Sequence, residues 1–470
     1  MAWHQILDQI TTQADTRENV LTDGTLTCQY MDLPGLLDEV AAVLSANRIG
    51  AYTCLAVECV NSVSGGLLLL TLLREGISFV LVPPAVTSQI KPIPHFCSHK
   101  ITVRGGAASL SAASFLAIES NPEFNGKPMP GGKLLLRTSG SMGASKLVVH
   151  DHLKLMGNAA NCVHKYNFSA ASRCVIPVPI AHMYGFGAEF LPAVMAGASI
   201  DLQEKTNVLK YLDREKRFQP TIAFVTPAIC EMLFKAYKKP RTCYDVMVTS
   251  GQRISEELFR AFDPLISGRL INQYGSTEMG ATAACDPGDS LDRRICTIGK
   301  PMPWVELRIE GDTGSGELFA KHPYGFEGYL DEDGEWLHKV EPDGWYRTGD
   351  LARTQPDGSI AVLGRADESV NRSGYLVLLS DIERVIEQND AVGQVAVVAG
   401  KSEGKRGERI AAFCVPRTGI QVDSAQLRAY CFDVLPKHAI PDEVHVSESL
   451  PLLPSGKIDR QALAALIEQS

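Results

Sequence analysis

Apolar residues along the chain fall into short runs of two kinds. In residues 36–44 (LLDEVAAVL) they recur three and four apart, which predicts an amphipathic helix, and 66–73 reads as a buried helix. Residues 52–60 and 79–82 read as strands, the second closed by Pro83 and Pro84. Residues 134–137 and 147–149 are further apolar runs of strand type, and 154–166 a helix. Strands are predicted at 173–179, 221–225, 244–249 and 270–273, and a loop rich in aromatics and glycine at 182–186. Helix and strand alternate, which predicts an α/β fold with mainly parallel sheets.

From about residue 298 the texture changes. Strand-and-turn segments at 305–309, 316–320, 345–348 and 359–363 are separated by Asp and Gly and predict a small β-rich subdomain over about 298–366. The stretch LGRADES at 363–369 reads as a boundary. Beyond it, helices at 380–388 and 424–434 and strands at 393–398 and 410–415 make a compact α+β pattern, ended by a turn and a last helix. The expected organisation is a large N-terminal domain, 1–366, of several subdomains, and a small α+β C-terminal domain, 367–470.

Composition narrows the function. The 470 residues suffice for two or three cores. A net charge of -9 gives no basic footprint for nucleic acid. The 12 cysteines form no CxxC pair and no metal-spaced Cys/His cluster, so reduced thiols and a cytoplasmic location are expected. The first residues lack a basic-then-apolar leader pattern, and the longest apolar runs fall short of the ~20 residues a bilayer requires. No membrane partner is expected.

The candidate chemistry starts at residues 134–152, LLLRTSGSMGASKLVVHDH. A strand-type run leads into Thr138, Ser139, Gly140, Ser141 and Gly143, and Lys146 follows. Glycines admit backbone N–H groups to phosphate oxygens, hydroxyls add donors, and lysine adds charge, so the stretch suits a polyphosphate. GxxxxGK[ST] does not fit it; a Ser/Gly-rich surface turn is the other reading. Polar or Gly-bearing turns also follow other strands, at 182–185, 250–252 and 274–278. In open α/β sheets, ligands bind beyond the carboxyl ends of strands, so these turns are candidates for one rim.

Several motifs then resemble one family. TSGSMGASK at 138–146 resembles the phosphate loop of the adenylate-forming superfamily of acyl- and aryl-CoA ligases, adenylation domains and luciferases. NQYGSTE at 272–278 resembles its second nucleotide motif, WYRTGD at 345–350 its ribose motif, residues 364–383 its hinge motif and PSGKIDR at 454–460 its terminal lysine motif. The order agrees, and the resemblance covers nearly the whole chain. It implies that a carboxylate attacks the α-phosphate of Mg-ATP to give an acyl-adenylate, and that a thiol then displaces AMP. Thr138, Ser139, Ser141 and Lys146 would hold the leaving phosphates, with Gly140 and Gly143 shaping the loop. Thr277 would touch the α-phosphate, and Glu278 would hold Mg²⁺, a hard ion suited to carboxylate oxygen. Asn272, Gln273, Tyr274, Gly275 and Ser276 would line the AMP site, Tyr274 stacking on adenine. Asp350 and Arg365 would take the ribose hydroxyls, Asp367 would be the hinge of a mobile C-terminal domain, and Lys457 would bridge carboxylate and α-phosphate. Ser373, Gly374 and Tyr375 would line the thiol tunnel. Met142 and Ala144-Ser145 depart from the family's loop, and Asn371, Leu379 and Asp381 from its hinge motif.

The acid is expected to lie against His182, Met183, Tyr184, Gly185, Phe224, Ser250, Gly251 and Gly280. No carboxylate stands in the 182–185 turn to pair a substrate ammonium, and an unpaired buried ammonium is costly. An acid without an α-amino group is therefore expected, and the resemblance of His182-Met183-Tyr184 to the turn of aryl-acid-activating enzymes, and of Tyr184-Gly185-Phe186-Gly187 to benzoate-type CoA ligases, implies an aromatic one. A medium-chain fatty acid is the alternative, with Gly251 and Gly280 leaving a tunnel. The thiol is CoA or the phosphopantetheine of a separate carrier protein; the terminal motif stands near the end of the chain, as expected without a fused carrier domain. Arg372, Lys401, Lys405 and Arg406 are candidates for the 3′-phosphate of CoA. A silent nucleotide-binding relative is the other class, and a monomer or homodimer is expected.

Overall fold

The computed structural model describes residues 3–82, 93–104, 109–138, 146–204, 207–311, 314–340, 342–366, 369–372, 375–400, 409–417, 419–451 and 458–468. Its contacts divide the chain into two units. The first takes in Met1–Arg308, Ala320–Tyr346 and Gln355–Ala361, the second Ile309–Phe319, Arg347–Thr354 and Val362–Ser470.

Two mixed sheets build the first unit. One has nine strands, in the order Lys300–Pro301, Gly280–Ala284, Leu270–Ser276, Val246–Thr249, Ile222–Val225, Arg173–Ile176, Ser199–Leu202, Val20–Thr22 and Thr27–Gln29. Its pairings are parallel from Leu270–Ser276 to Val20–Thr22 and antiparallel at both edges. The other has eight strands, in the order Trp336–Lys339, Gly328–Leu330, Lys146–Asp151, Lys133–Thr138, Ser78–Val82, Cys54–Glu58, His99–Val103 and Leu116–Ser120. Only its centre, from Lys133–Thr138 to His99–Val103, is parallel. Parallel strands buried on both faces read as continuous apolar runs, and SFVLV at Ser78–Val82 is such a run. The helix Val63–Arg74 is buried from Val63 to Leu73, and the Ser62 side chain caps it by accepting from Gly65 N.

Two expectations are corrected here. Residues 183–186 are not a loop: Met183–Gly185 is one helical turn, begun after His182 and continued as a π-helix through Phe186–Phe190 and an α-helix at Leu191–Met195. Gly185 and Gly187 read as breakers, but burial of Phe186, Phe190 and Leu191 outweighs their helix cost of about 1 kcal/mol each. Tyr274, Gly275 and Ser276 are not a turn either. They continue the strand Leu270–Ser276, which folds back against Gly280–Ala284 with a bulge at Tyr274/Gly275. A Cβ on Gly275 would collide with the carbonyl oxygen of Gly280, so the small residue permits the close strand approach rather than a bend.

In the second unit, Val392–Gly400 pairs antiparallel with Arg409–Pro416, and Glu443–Val446 joins the latter in parallel. Apolar side chains of this sheet enter two clusters. One gathers Val395 and Val397 with Ile382 and Leu427; the other gathers Ala396 and Val398 with Leu463 and Ile467. The helix Ser424–Val434 begins at Asp423, whose side chain accepts from Gln426 N in a capping box. The segments Glu306–Glu310, Ser315–Lys321, Trp345–Thr354 and Ile360–Arg365 form a four-stranded sheet in that order.

Candidate active site

The strand Lys146–Asp151 has period-two faces, which place Lys146, Val148 and His150 on one side and Leu147 and Val149 on the other. Its antiparallel partners are Lys133–Thr138, where Thr138 lies opposite Lys146, and Gly328–Leu330, where Tyr329 lies opposite Val148. The Lys146 Nζ sits 5.4 Å from the centre of the Tyr329 ring. The Tyr329 hydroxyl donates to Glu278 Oε1 at 2.9 Å.

His150, further along the same face, donates from Nε2 to the Thr277 carbonyl at 2.6 Å. Phe326 N donates to the Glu278 carbonyl at 2.8 Å, and His322 Nδ1 to the Met279 carbonyl at 2.8 Å. Three successive carbonyls of the Thr277–Glu278–Met279 segment are thus held by donors from elsewhere in the unit. Met279 N donates to Ser276 Oγ. Burial pushes both imidazoles down to about 4, so each is neutral and keeps one N–H for its carbonyl. Thr277 and Glu278 themselves stay half-buried. Among the described residues no Lys or Arg forms an ion pair with Glu278, whose carboxylate accepts instead from a hydroxyl. A carboxylate in that state fits a hard divalent cation that also takes phosphate and water oxygens.

Other members of the 272–276 motif turn inward. Asn272 Nδ2 donates to the Arg294 carbonyl at 2.7 Å, and Gln273 Oε1 accepts from the Tyr166 hydroxyl at 2.5 Å. Through these bonds the two side chains brace the strand. Tyr274 stays half-buried opposite Ala283.

The residues expected against the acid divide in the same way. Phe224 is fully buried, edge-on to Tyr166 with ring centres 5.2 Å apart and 5.7 Å from Tyr184. Tyr184 is half-buried, and its hydroxyl donates to the carbonyls of Val225 and Val248, tying the ends of two parallel strands together. Met183, Gly185 and Ser250 are buried, whereas His182 and Gly251 are exposed. Nothing lies within 4 Å of where a Cβ on Gly251 would stand, but one on Gly280 would meet Asn158 Oδ1 at 2.6 Å. The expectation of open space at Gly280 is therefore overturned: Asn158 fills it. Asn158 also donates to the Gly187 carbonyl at 3.1 Å and accepts from Ala281 N at 3.2 Å. Glu189, fully buried in the π-helical turn, accepts from Phe224 N at 3.1 Å, while its Oε2 has no partner among the described residues. Burial pushes its carboxyl well above the usual range, so it stands protonated. Neither Asn158 nor Glu189 announces itself in a motif.

In the second unit, Asp350 and Arg365 are brought together. Arg365 Nη1 donates to the Thr348 carbonyl at 3.0 Å and lies 3.4 Å from Asp350 Oδ1. Gly349 between them holds φ +73°, and a Cβ there would stand 2.9 Å from Arg365 Nη2. Arg372 is not available to a 3′-phosphate: it is buried, pairs with Asp442 and donates to the Ile440 carbonyl at 2.7 Å. Arg460, in the terminal motif, pairs with both oxygens of Glu383. Tyr375 opens the strand Tyr375–Leu378. Ser139, Gly140, Ser141, Gly143, Asp367, Ser373, Gly374, Lys401, Lys405, Arg406 and Lys457 lie outside the described residues.

The fold, with a lysine-bearing strand beside a hydroxyl-and-carboxylate turn, agrees with the adenylate-forming resemblance of the motifs. The chain belongs to the AMP-binding enzyme family: the family profile matches residues 134–330, and that of the AMP-binding enzyme C-terminal domain matches 381–457. It is 26% identical to an indoleacetate–CoA ligase of Aromatoleum aromaticum, over 93% of each chain. It is 30% identical to a 2-hydroxy-7-methoxy-5-methyl-1-naphthoate–CoA ligase of Streptomyces carzinostaticus, over 71% of this chain and 62% of that one. In fold it is similar to an o-succinylbenzoate CoA synthetase of Bacillus subtilis in complex with its acyl-adenylate intermediate, at a TM-score of 0.81, 20% identity and 97% coverage of both chains. Among the described residues no helix is long and apolar enough to cross a membrane.

Proposed function

We propose that this enzyme is an AMP-forming acid–thiol ligase that activates an aromatic carboxylic acid lacking an α-amino group and passes it to CoA. The observation that carries the reading is the clamped Thr277–Glu278–Met279 turn beside Lys146, a fixed array of donor, anion and cation where phosphate charge would have to be met. The named relatives support the acid class, since indoleacetate and the substituted naphthoate are aromatic acids joined to CoA.

In the first half-reaction the acid carboxylate attacks the α-phosphorus of ATP and pyrophosphate leaves. Lys146 and Thr138, with Ser139 and Ser141, bind the departing phosphates. The Thr277 hydroxyl donates to the α-phosphate, and Lys457 screens the two anions as they meet. Magnesium held by Glu278 would neutralise phosphate oxygens. Asp350 accepts from the ribose hydroxyls, and Arg365 donates to the same sugar. In the second half-reaction the CoA thiol attacks the acyl carbon and AMP leaves. A carrier-protein thiol is the second acceptor, and a fatty acid the second substrate class, favoured by the open space at Gly251.

ATP–pyrophosphate exchange across aryl, fatty and amino acids, followed by mass analysis with CoA and with a loaded carrier protein, tests the reading. Exchange with aryl acids and an aryl-CoA product are expected. Lys457→Ala should lose nearly all exchange while thioester formation from preformed adenylate is less affected. Exchange confined to α-amino acids would sink the substrate reading.

A further inference from the structure

We propose that Tyr329 is the positioning residue that holds the phosphate-binding cation and the metal-holding carboxylate apart and in place. The inference rests on the roles given above to Lys146 and Glu278. Both contact Tyr329, and among the described residues they form no ion pair with each other. A direct pair would quench the charges that ATP and its metal need. Tyr329 satisfies each separately, offering its ring face to the ammonium and its hydroxyl to the carboxylate.

The tyrosine is itself well fixed. Its backbone pairs with Val148 on one side and His338 on the other. Its ring meets Phe326 edge-on at 5.0 Å between centres, and its hydroxyl lies 3.4 Å from that of Tyr346. Phe326 also donates its backbone N–H to the Glu278 carbonyl, so the element that places the ring also places the carboxylate's backbone.

Two variants separate the two contacts. Tyr329→Phe keeps the ring under Lys146 and loses only the hydroxyl; Tyr329→Leu loses both. Mn²⁺ binding in the presence of ATP, followed by electron paramagnetic resonance, gives a readout independent of turnover. Exchange kinetics as a function of Mg²⁺, ATP and acid give the second. Tyr329→Phe should weaken Mn²⁺ binding and raise the Mg²⁺ requirement about tenfold, as loss of a partner to a metal-holding carboxylate does, with the KM for acid unchanged. Tyr329→Leu should add a rise in the KM for ATP. Wild-type metal dependence in Tyr329→Phe, or an equal rise in its KM for acid, overturns this inference alone. A wild-type chain that binds no Mn²⁺ with ATP overturns the functional reading and this inference with it.

Discussion

The Thr277–Glu278 turn and the Asp350–Arg365 pair are both proposed to bind nucleotide, yet they are held in opposite ways. The carbonyls of the turn, and that of Met279 after it, each receive a hydrogen bond from a distant part of the first unit, two of them from buried neutral imidazoles. The Arg365 side chain is 44% exposed and approaches Asp350 no closer than 3.4 Å. A buried carbonyl left without a donor costs about 1–3 kcal/mol, whereas an exposed ion pair contributes about 0–1 kcal/mol. The phosphate end is therefore part of the fold of the first unit, whereas the Asp350–Arg365 pair is held lightly within the second. Changes at the turn should cost stability and activity together; changes at the pair should cost activity alone.

Acid should produce the largest effect. His150, His152 and His322 are held at about 4 by burial, against about 6.5 in an unfolded chain. Between those values the unfolded chain binds more protons than the folded one, so stability rises with pH there. Their contribution is complete above about pH 6.5 and is lost as pH falls through about 4, on the order of 3 kcal/mol for each group. Trp3, Trp304, Trp336 and Trp345, the 4 tryptophans of the chain, all belong to the first unit, so their fluorescence follows that unit. Urea unfolding by tryptophan emission should show a midpoint that falls steeply from pH 6.5 to 4.5. A flat midpoint would break the comparison at its root. His152→Phe should flatten part of the slope, because both ring nitrogens of His152 lack partners among the described residues.

His150→Phe comes next. It leaves the Thr277 carbonyl without its donor, for an expected loss of about 1–3 kcal/mol in stability. Exchange should fall about a hundredfold, as when a fixed transition-state donor is displaced. His150→Gln, which can still donate, should recover part of both. Asp350→Asn should instead raise the KM for ATP about tenfold through loss of a charge-assisted bond, and leave the unfolding midpoint within about 0.5 kcal/mol of wild type.

Some of this contrast was legible in the residues and some was not. The buried strands and the helix Ser424–Val434 follow from apolar runs and spacing, because burial and period are local signals. Motif residues Lys146, Thr277 and Glu278 do lie around one face. Period two along Lys146–Asp151 would have put His150 on that face, but nothing local says that a carbonyl from residue 277 waits there. Tyr329 and His322 are clearer cases. Their work depends on contacts with residues 51 and 43 positions away. The helix through Met183–Gly185 was hidden by glycines whose neighbours pack too well to bend. Gly280 misled in the other direction, because a missing side chain shows as space until the residue that fills it, Asn158, is known.

Arg365→Lys is the finest probe of the difference. Lysine keeps the positive charge beside Asp350 but gives up the planar fork that lets one guanidinium donate to the Thr348 carbonyl and still face a second acceptor. If the pair serves the ribose and little else, the KM for ATP should rise about threefold, the worth of one weakened exposed hydrogen bond. Hydrogen exchange of the Trp345–Thr354 and Ile360–Arg365 strands should be unchanged. Faster exchange across both strands would mean that Arg365 braces the fold through Thr348 as His150 braces the turn through Thr277. The two regions would then differ in exposure but not in kind.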